Sequence, residues 1–141
     1  MIVGVLSLPQ PDDLSSLVLR TDFTDDAAWV EIQTVIGTDG ATYVSDNRFL
    51  GVTMQALVDA DTAAADDDKL TYLFIADATT MSDPERPLLA VDLYDEPGRT
   101  FRVPPRWYAD VSANLSIANM DFNEFADAVD ESGTYRGFDG V

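Results

Sequence analysis

The stretch LVLRTDFTDDAAWVEIQTVI, residues 17–36, decides the fold because it contains a strand-to-helix junction. Leu17, Val18 and Leu19 open a β-rich run that continues to Phe23, and Thr24 stands where a helix N-cap is expected. Asp25 and Asp26 fill the first helical turn. Carboxylates there meet unpaired N–H groups and the positive end of the helix dipole, worth about 0.3–1 kcal/mol each at an exposed site. Ala28, Trp29, Ile32, Val35 and Ile36 then recur at helical spacing, and Gly37 supplies the stop. Such an apolar stripe needs a surface to cover. A sheet containing residues 17–23 is the natural one.

Downstream, residues 38–40 make a turn and 41–46 (ATYVSD) read as a second strand, which completes a parallel βαβ unit. Thr53 caps a helix whose inward face is Met54, Leu57 and Val58. The acidic segment 59–69, DADTAAADDDK, reads as a solvated helix end plus loop. Residues 70–77 (LTYLFIAD) form the most apolar run and predict a central strand buried on both faces. The link 78–87 contains Ser82, Asp83, Pro84 and Pro87, so no helix is expected there, and 88–94 returns antiparallel. Pro97 and Gly98 suit a type II turn into a last strand at 100–103. Residues 106–119 carry no decisive pattern, with Trp107 and Tyr108 expected to cover an edge of the core. Asp121 and Glu124 form a capping box, Met120 and Phe125 a hydrophobic staple, and Phe122, Phe125, Ala126 and Val129 one apolar face. Residues 1–16 are expected to be a loosely ordered lead-in with an edge strand at 2–6, and 134–141 a short tail.

With 141 residues the chain suits one domain. The element order βαβαβββα predicts an α/β sandwich, with α+β the alternative: a mixed sheet of about five strands with flanking helices, thioredoxin-like by order alone. The absence of cysteine and histidine excludes disulfides, thiol nucleophiles, most zinc sites and the commonest general base. The opening MIVGVL is short and has no basic flank, which fits neither a signal peptide nor a membrane span, so a cytoplasmic protein is expected. Acidic residues number 26 against 8 basic ones, a formal charge of −18 that repels nucleic-acid backbones. That surplus has two readings. It solvates the surface, or it captures a basic partner.

Three stretches, RTDFTDDAAW at 20–29, PLLAVDL at 87–93 and NLSIANMDFNEFADAV at 114–129, together resemble an uncharacterised family of short acidic bacterial proteins of the kind found in actinomycetes. The resemblance implies one domain. It brings no activity, cofactor or functional residue with it.

Two constellations stand out. Asp22, Asp46 and Asp77 each close a predicted strand, and if all three strands are parallel they share the carboxyl edge of the sheet, where open α/β folds bind ligands. Their chemistry suits Mg²⁺, although strand-ending aspartates are also common turn-formers, and an antiparallel third strand would dissolve the cluster. Arg20, Asp92 and Arg102 sit inside strand-like runs, where buried charge needs a partner, so an ion pair or shielded polar network among them is expected. A solvated edge and a substrate-binding arginine are the alternatives. No catalytic residue or cofactor is assigned. The leading functional expectation is a non-enzymatic binding or inhibitor protein, immunity-like, that meets a basic partner through Asp25, Asp26, Arg20 and Asp92. The rivals are a Mg²⁺-assisted enzyme on a phosphorylated substrate and an accessory protein of a biosynthetic or phage-related locus.

Overall fold

The computed structural model describes residues 6–137. The edge strand expected at 2–6 therefore lies, except for Leu6, outside the described residues, as does the tail from residue 138. The elements are β1 (Ser16–Arg20), α1 (Asp26–Ile36), β2 (Ala41–Val44), α2 (Met54–Ala63), β3 (Tyr72–Ala76), α3 (Ala78–Ser82), β4 (Leu88–Asp92), β5 (Thr100–Val103), α4 (Pro105–Ser116) and α5 (Phe122–Ala126). Short 3-10 turns at Asn47–Phe49 and Asp66–Asp68 flank α2. The strands form one five-stranded sheet in the order β2-β1-β3-β4-β5. β1 runs parallel to β2 and β3, and β4 is antiparallel to both β3 and β5. The mixed sheet with flanking helices is the expected architecture.

Alternation along β1 and β3 builds two cores, because successive side chains point to opposite faces. Val18 and Phe74 face a cluster made by Trp29 and Ile32 of α1, Tyr108 and Val111 of α4, and Phe122 and Phe125 of α5. Leu17, Leu19, Leu73 and Ile75 face Leu57 and Val58 of α2 and Phe49. With both faces covered, all of β1 is buried. Leu6 and Leu8 of the lead-in pack against the second cluster.

Several local expectations are corrected. The cap of α1 is Asp25, whose Oδ1 accepts from the Ala28 amide at 3.0 Å. Thr24 cannot cap, because its own amide and hydroxyl both donate to Asp22 Oδ1. Strand β1 ends at Arg20 instead of Phe23, since the amides of Thr21 and Asp22 both turn to the Ala76 carbonyl. The link after β3 does hold a helix. Asp77 Oδ1 accepts from the Thr80 amide and the Thr80 hydroxyl from the Asp77 amide, both at 3.1 Å, which starts α3. Of the breakers, Ser82 ends the helix and Asp83, Pro84 and Pro87 fall beyond it, and the Arg86 guanidinium satisfies the Met81 carbonyl at 2.5 Å. The undecided segment after β5 is the longest helix, with Pro105 at its first position, where a missing N–H costs nothing.

At the other end, α5 stops at Ala126, short of Val129. Its capping box is present, with a long 3.5 Å contact from the Asp121 amide to Glu124, and Met120 and Phe125 join the same apolar cluster. Residues 134 and 135, expected to begin a tail, lie along the outer edge of β5. Arg102 donates its amide to the Gly133 carbonyl at 2.9 Å and accepts from the Tyr135 amide at 2.7 Å, and Tyr135 is fully buried. Among the described residues, no helix is long and apolar enough to cross a membrane.

Candidate functional site

Because β1, β2 and β3 run the same way, Asp22, Asp46 and Asp77 do stand at one edge of the sheet. Helix α1 covers one face and α2 the other, so the chain reverses direction between β1 and β3, where open α/β folds hold their ligands. Here that gap is closed. Thr21 and Asp22 donate to the Ala76 carbonyl at 3.0 and 3.4 Å, and Gly51 donates to the Thr21 carbonyl at 2.8 Å. Each aspartate also has local partners. Asp22 holds Thr24, and Asp46 accepts from the Arg48 amide at 3.0 Å and lies 3.5 Å from its guanidinium. Asp77 caps α3 and takes both terminal nitrogens of Arg102 at 2.8 and 2.9 Å. Burial pushes the Asp77 carboxyl up, but Arg102 and Thr80 together outweigh it and hold the carboxyl below its ordinary value. Among the described residues, no group of three or more acidic side chains is placed to hold a metal ion.

Arg20, Asp92 and Arg102 find partners outside their own trio, which corrects the expected pairing. Arg20 is 3% exposed, donates to Asp26 Oδ1 at 2.8 Å and to the Asp22 carbonyl at 2.9 Å, and stacks 4.5 Å from the Phe23 ring. Arg102 pairs across the sheet with Leu89, three residues before Asp92, which puts the two charges on opposite faces. Of the proposed binding residues, Asp25 is therefore a cap, while Asp26 and Arg20 form an ion pair.

Asp92 is 1% exposed and shapes the loop after β4. Its two carboxylate oxygens accept from the amides of Tyr94 and Glu96 at 3.0 and 2.9 Å. The Arg99 amide closes a turn on the Glu96 carbonyl at 2.9 Å, with Pro97 and Gly98 in its middle and Gly98 at φ 96°, as a type II turn requires. This hydrogen-bonded loop sets Tyr94, 74% exposed, and Asp95 on a cleft of about 330 Å³. The opposite wall is Leu115, Met120, Asp121 and Phe122 from the end of α4 and the start of α5. A second groove shares Tyr72 and Leu115 with the cleft, and a third shares Leu14 and Ser116 with the second, so the concavity runs along this edge of the sheet. Leu14 and Ile117 line it, 73% and 61% exposed.

Beneath the grooves lies a chain of hydroxyls. Ser16 meets Tyr72 at 2.5 Å and Ser112 at 2.7 Å, and Tyr108 and Ser112 both donate to the Gly40 carbonyl, at 2.7 and 3.2 Å. Burial pushes both phenols up, which keeps them neutral donors. Their work is to fasten α4 to the sheet below the cleft.

The cations are all engaged within the chain. Seven arginines reach carboxylates: Arg20 to Asp26, Arg48 to Asp46, Arg86 to Glu31, Arg99 to Glu96 and Asp127, Arg102 to Asp77, Arg106 to Glu85, and Arg136 to Glu85 and Asp130. Lys69 donates to the carbonyls of Asp61 and Thr62. The acidic surplus has no internal counter-charge.

Residues 15–138 match the model of a domain of unknown function, DUF6924. The chain belongs to that family. The DUF6924 domain here spans the five strands and five α-helices of the described residues, with the Asp92 loop and the cleft inside it. An uncharacterised family was the expectation from the three quoted stretches, and the match agrees at that level. No curated protein matches the chain. Of the residues that line the cleft, Asp92 was a candidate binding residue from the sequence, Asp121 was read only as a helix cap, and Tyr94 and Asp95 carried no binding expectation. The visible signal was an acidic turn, YDEPG, with a further aspartate well downstream at a helix cap.

Proposed function

We propose that this DUF6924 protein is a non-enzymatic binding or inhibitor protein, immunity-like, that recognises a basic partner in a bacterial cytoplasm. The observation that carries the reading is that every lysine and arginine is already engaged, so the formal −18 is an outward field with no internal neutralisation. Such a field steers cationic proteins and repels nucleic acid and other acidic proteins. Rigid loops and caps strengthen the case, because carboxylates held in place need little ordering when a partner arrives.

The rival, a Mg²⁺-assisted enzyme acting on a phosphorylated substrate, draws on the shared edge of Asp22, Asp46 and Asp77. Those carboxylates would first have to surrender their caps and the Arg102 pair, which weighs against it. Capture from a native lysate at about 50 mM salt should enrich one or a few basic proteins, and about 500 mM should mainly slow their association. Retention of nothing, or of a diffuse set of abundant basic proteins that tracks net charge alone, would return the acidity to simple solvation.

A further inference from the structure

We infer that the cleft between the β4–β5 loop and the start of α5 is where the basic partner docks, seating one arginine or lysine side chain against Tyr94 with Asp95 and Asp121 as counter-charges. The inference rests on the binding reading above and locates it. The wall opposite Tyr94 is apolar at Leu115, Met120 and Phe122, and the carboxylates that line the cleft are Asp92, Asp95 and Asp121, with no lysine or arginine among the lining residues. A side chain with a long apolar stem and a cationic head matches that surface in both respects.

No described residue fills the cleft. Asp92 is spent on the loop amides, but among the described residues no hydrogen bond or ion pair reaches the Asp95 carboxylate. The nearby Arg99 is held away by Asn123 at 2.6 Å, by Asp127 at 2.5 Å and by Glu96 at 3.3 Å. Tyr94 makes no ring contact with another aromatic among the described residues, and an uncovered ring beside carboxylates is a good seat for a guanidinium. Ile117 and Leu14 extend the apolar surface for the residues that flank the cation. A second copy of this chain is the wrong occupant. It would bring another −18 and the same acidic cleft, and like charges face to face oppose docking.

The test is an amide-resolved NMR titration of the ¹⁵N-labelled full chain at low salt, with a short amidated peptide alternating leucine and arginine, and with its citrulline counterpart. Localised shifts at Tyr94, Asp95, Ala118 and Asp121 with the arginine peptide, absent with citrulline, are the expected result. Tyr94→Ser and Asp95→Asn, both at exposed loop positions, should each weaken binding by about three- to tenfold while leaving the thermal melt unchanged. Equal shifts with citrulline would overturn the inference. So would shifts spread over exposed carboxylates such as Asp66, Asp67 and Asp68, although the basic-partner reading would then survive. If sedimentation shows the chain pairing with itself through this face, and Tyr94→Ser abolishes that pairing, the proposed occupant is wrong.

Discussion

Arg102 reaches from β5 to the end of β3 and grips Asp77 with both terminal guanidinium nitrogens, so a single carboxylate starts α3 and ties two non-adjacent strands together. Asp77→Asn keeps a competent cap but loses the charge, and should cost about 1.5–3 kcal/mol at pH 7. The pH dependence follows from the lowered folded-state value. Its contribution is complete above the unfolded carboxyl value, about 3.9, and is lost as pH falls through the folded one. Urea midpoints of wild type and variant should therefore differ at pH 7, with the gap narrowing once pH falls below about 4 and closing only below the folded-state value. A gap that stays constant with pH would show that the charge pair is not its source. Asp61 carries the same lesson in a less promising stretch. The acidic segment 59–69 reads as solvated, and Asp66, Asp67 and Asp68 are exposed, yet Asp61 is buried and accepts the Leu70 amide at 2.6 Å. Composition treats these aspartates alike, and only their neighbours separate them.

At the scale of elements, α5 shows how little helix is needed when its side chains are large. Five residues suffice because Phe122 and Phe125 both meet Phe101 of β5, with ring centroids 4.9 and 6.3 Å apart, and Phe125 meets Tyr135 at 5.2 Å. Phe125→Ala should destabilise the fold by about 3–5 kcal/mol, since the cavity opens inside that cluster. Asp121→Ala should cost only about 1 kcal/mol, the worth of a cap. Urea melts of the two variants check the ranking, and a Phe125→Ala midpoint equal to wild type would contradict the packing of α5. The start of this helix was legible because a capping box is local. Its early end was not, because the Ala128 amide drops back to the Phe125 carbonyl in a tighter three-residue bond that the apolar spacing does not encode. Helix α4 stayed undecided for a related reason: paired prolines read as a terminator from β5 and as a first turn from the helix.

For the whole molecule, charge sets the response to salt. Screening weakens the arginine pairs, but the uncompensated carboxylates are far more numerous, so the relief of their mutual repulsion outweighs that loss. The melting temperature should rise gradually with NaCl, and Mg²⁺ should act as a stronger screening ion without saturating. Asp22→Asn should not change that response. A saturable rise at micromolar Mg²⁺ that disappears in Asp22→Asn would favour the metal-dependent rival. The amino-acid sequence was enough to specify the β1–α1–β2 unit, the central place of β3, the β4–β5 hairpin and the capped start of α5. Each of these depends on periodicity, caps and turn residues within a short span of chain. Which charges meet was settled only by the packed fold. Arg20 takes Asp26 and Arg102 takes Asp77, because ion pairs form by distance across the fold, and sequence separation does not measure that distance. The cleft arose in the same way: Tyr72, the Asp92 loop and the α4–α5 connection are remote in the chain and become one surface only when the sheet and α4 pack together.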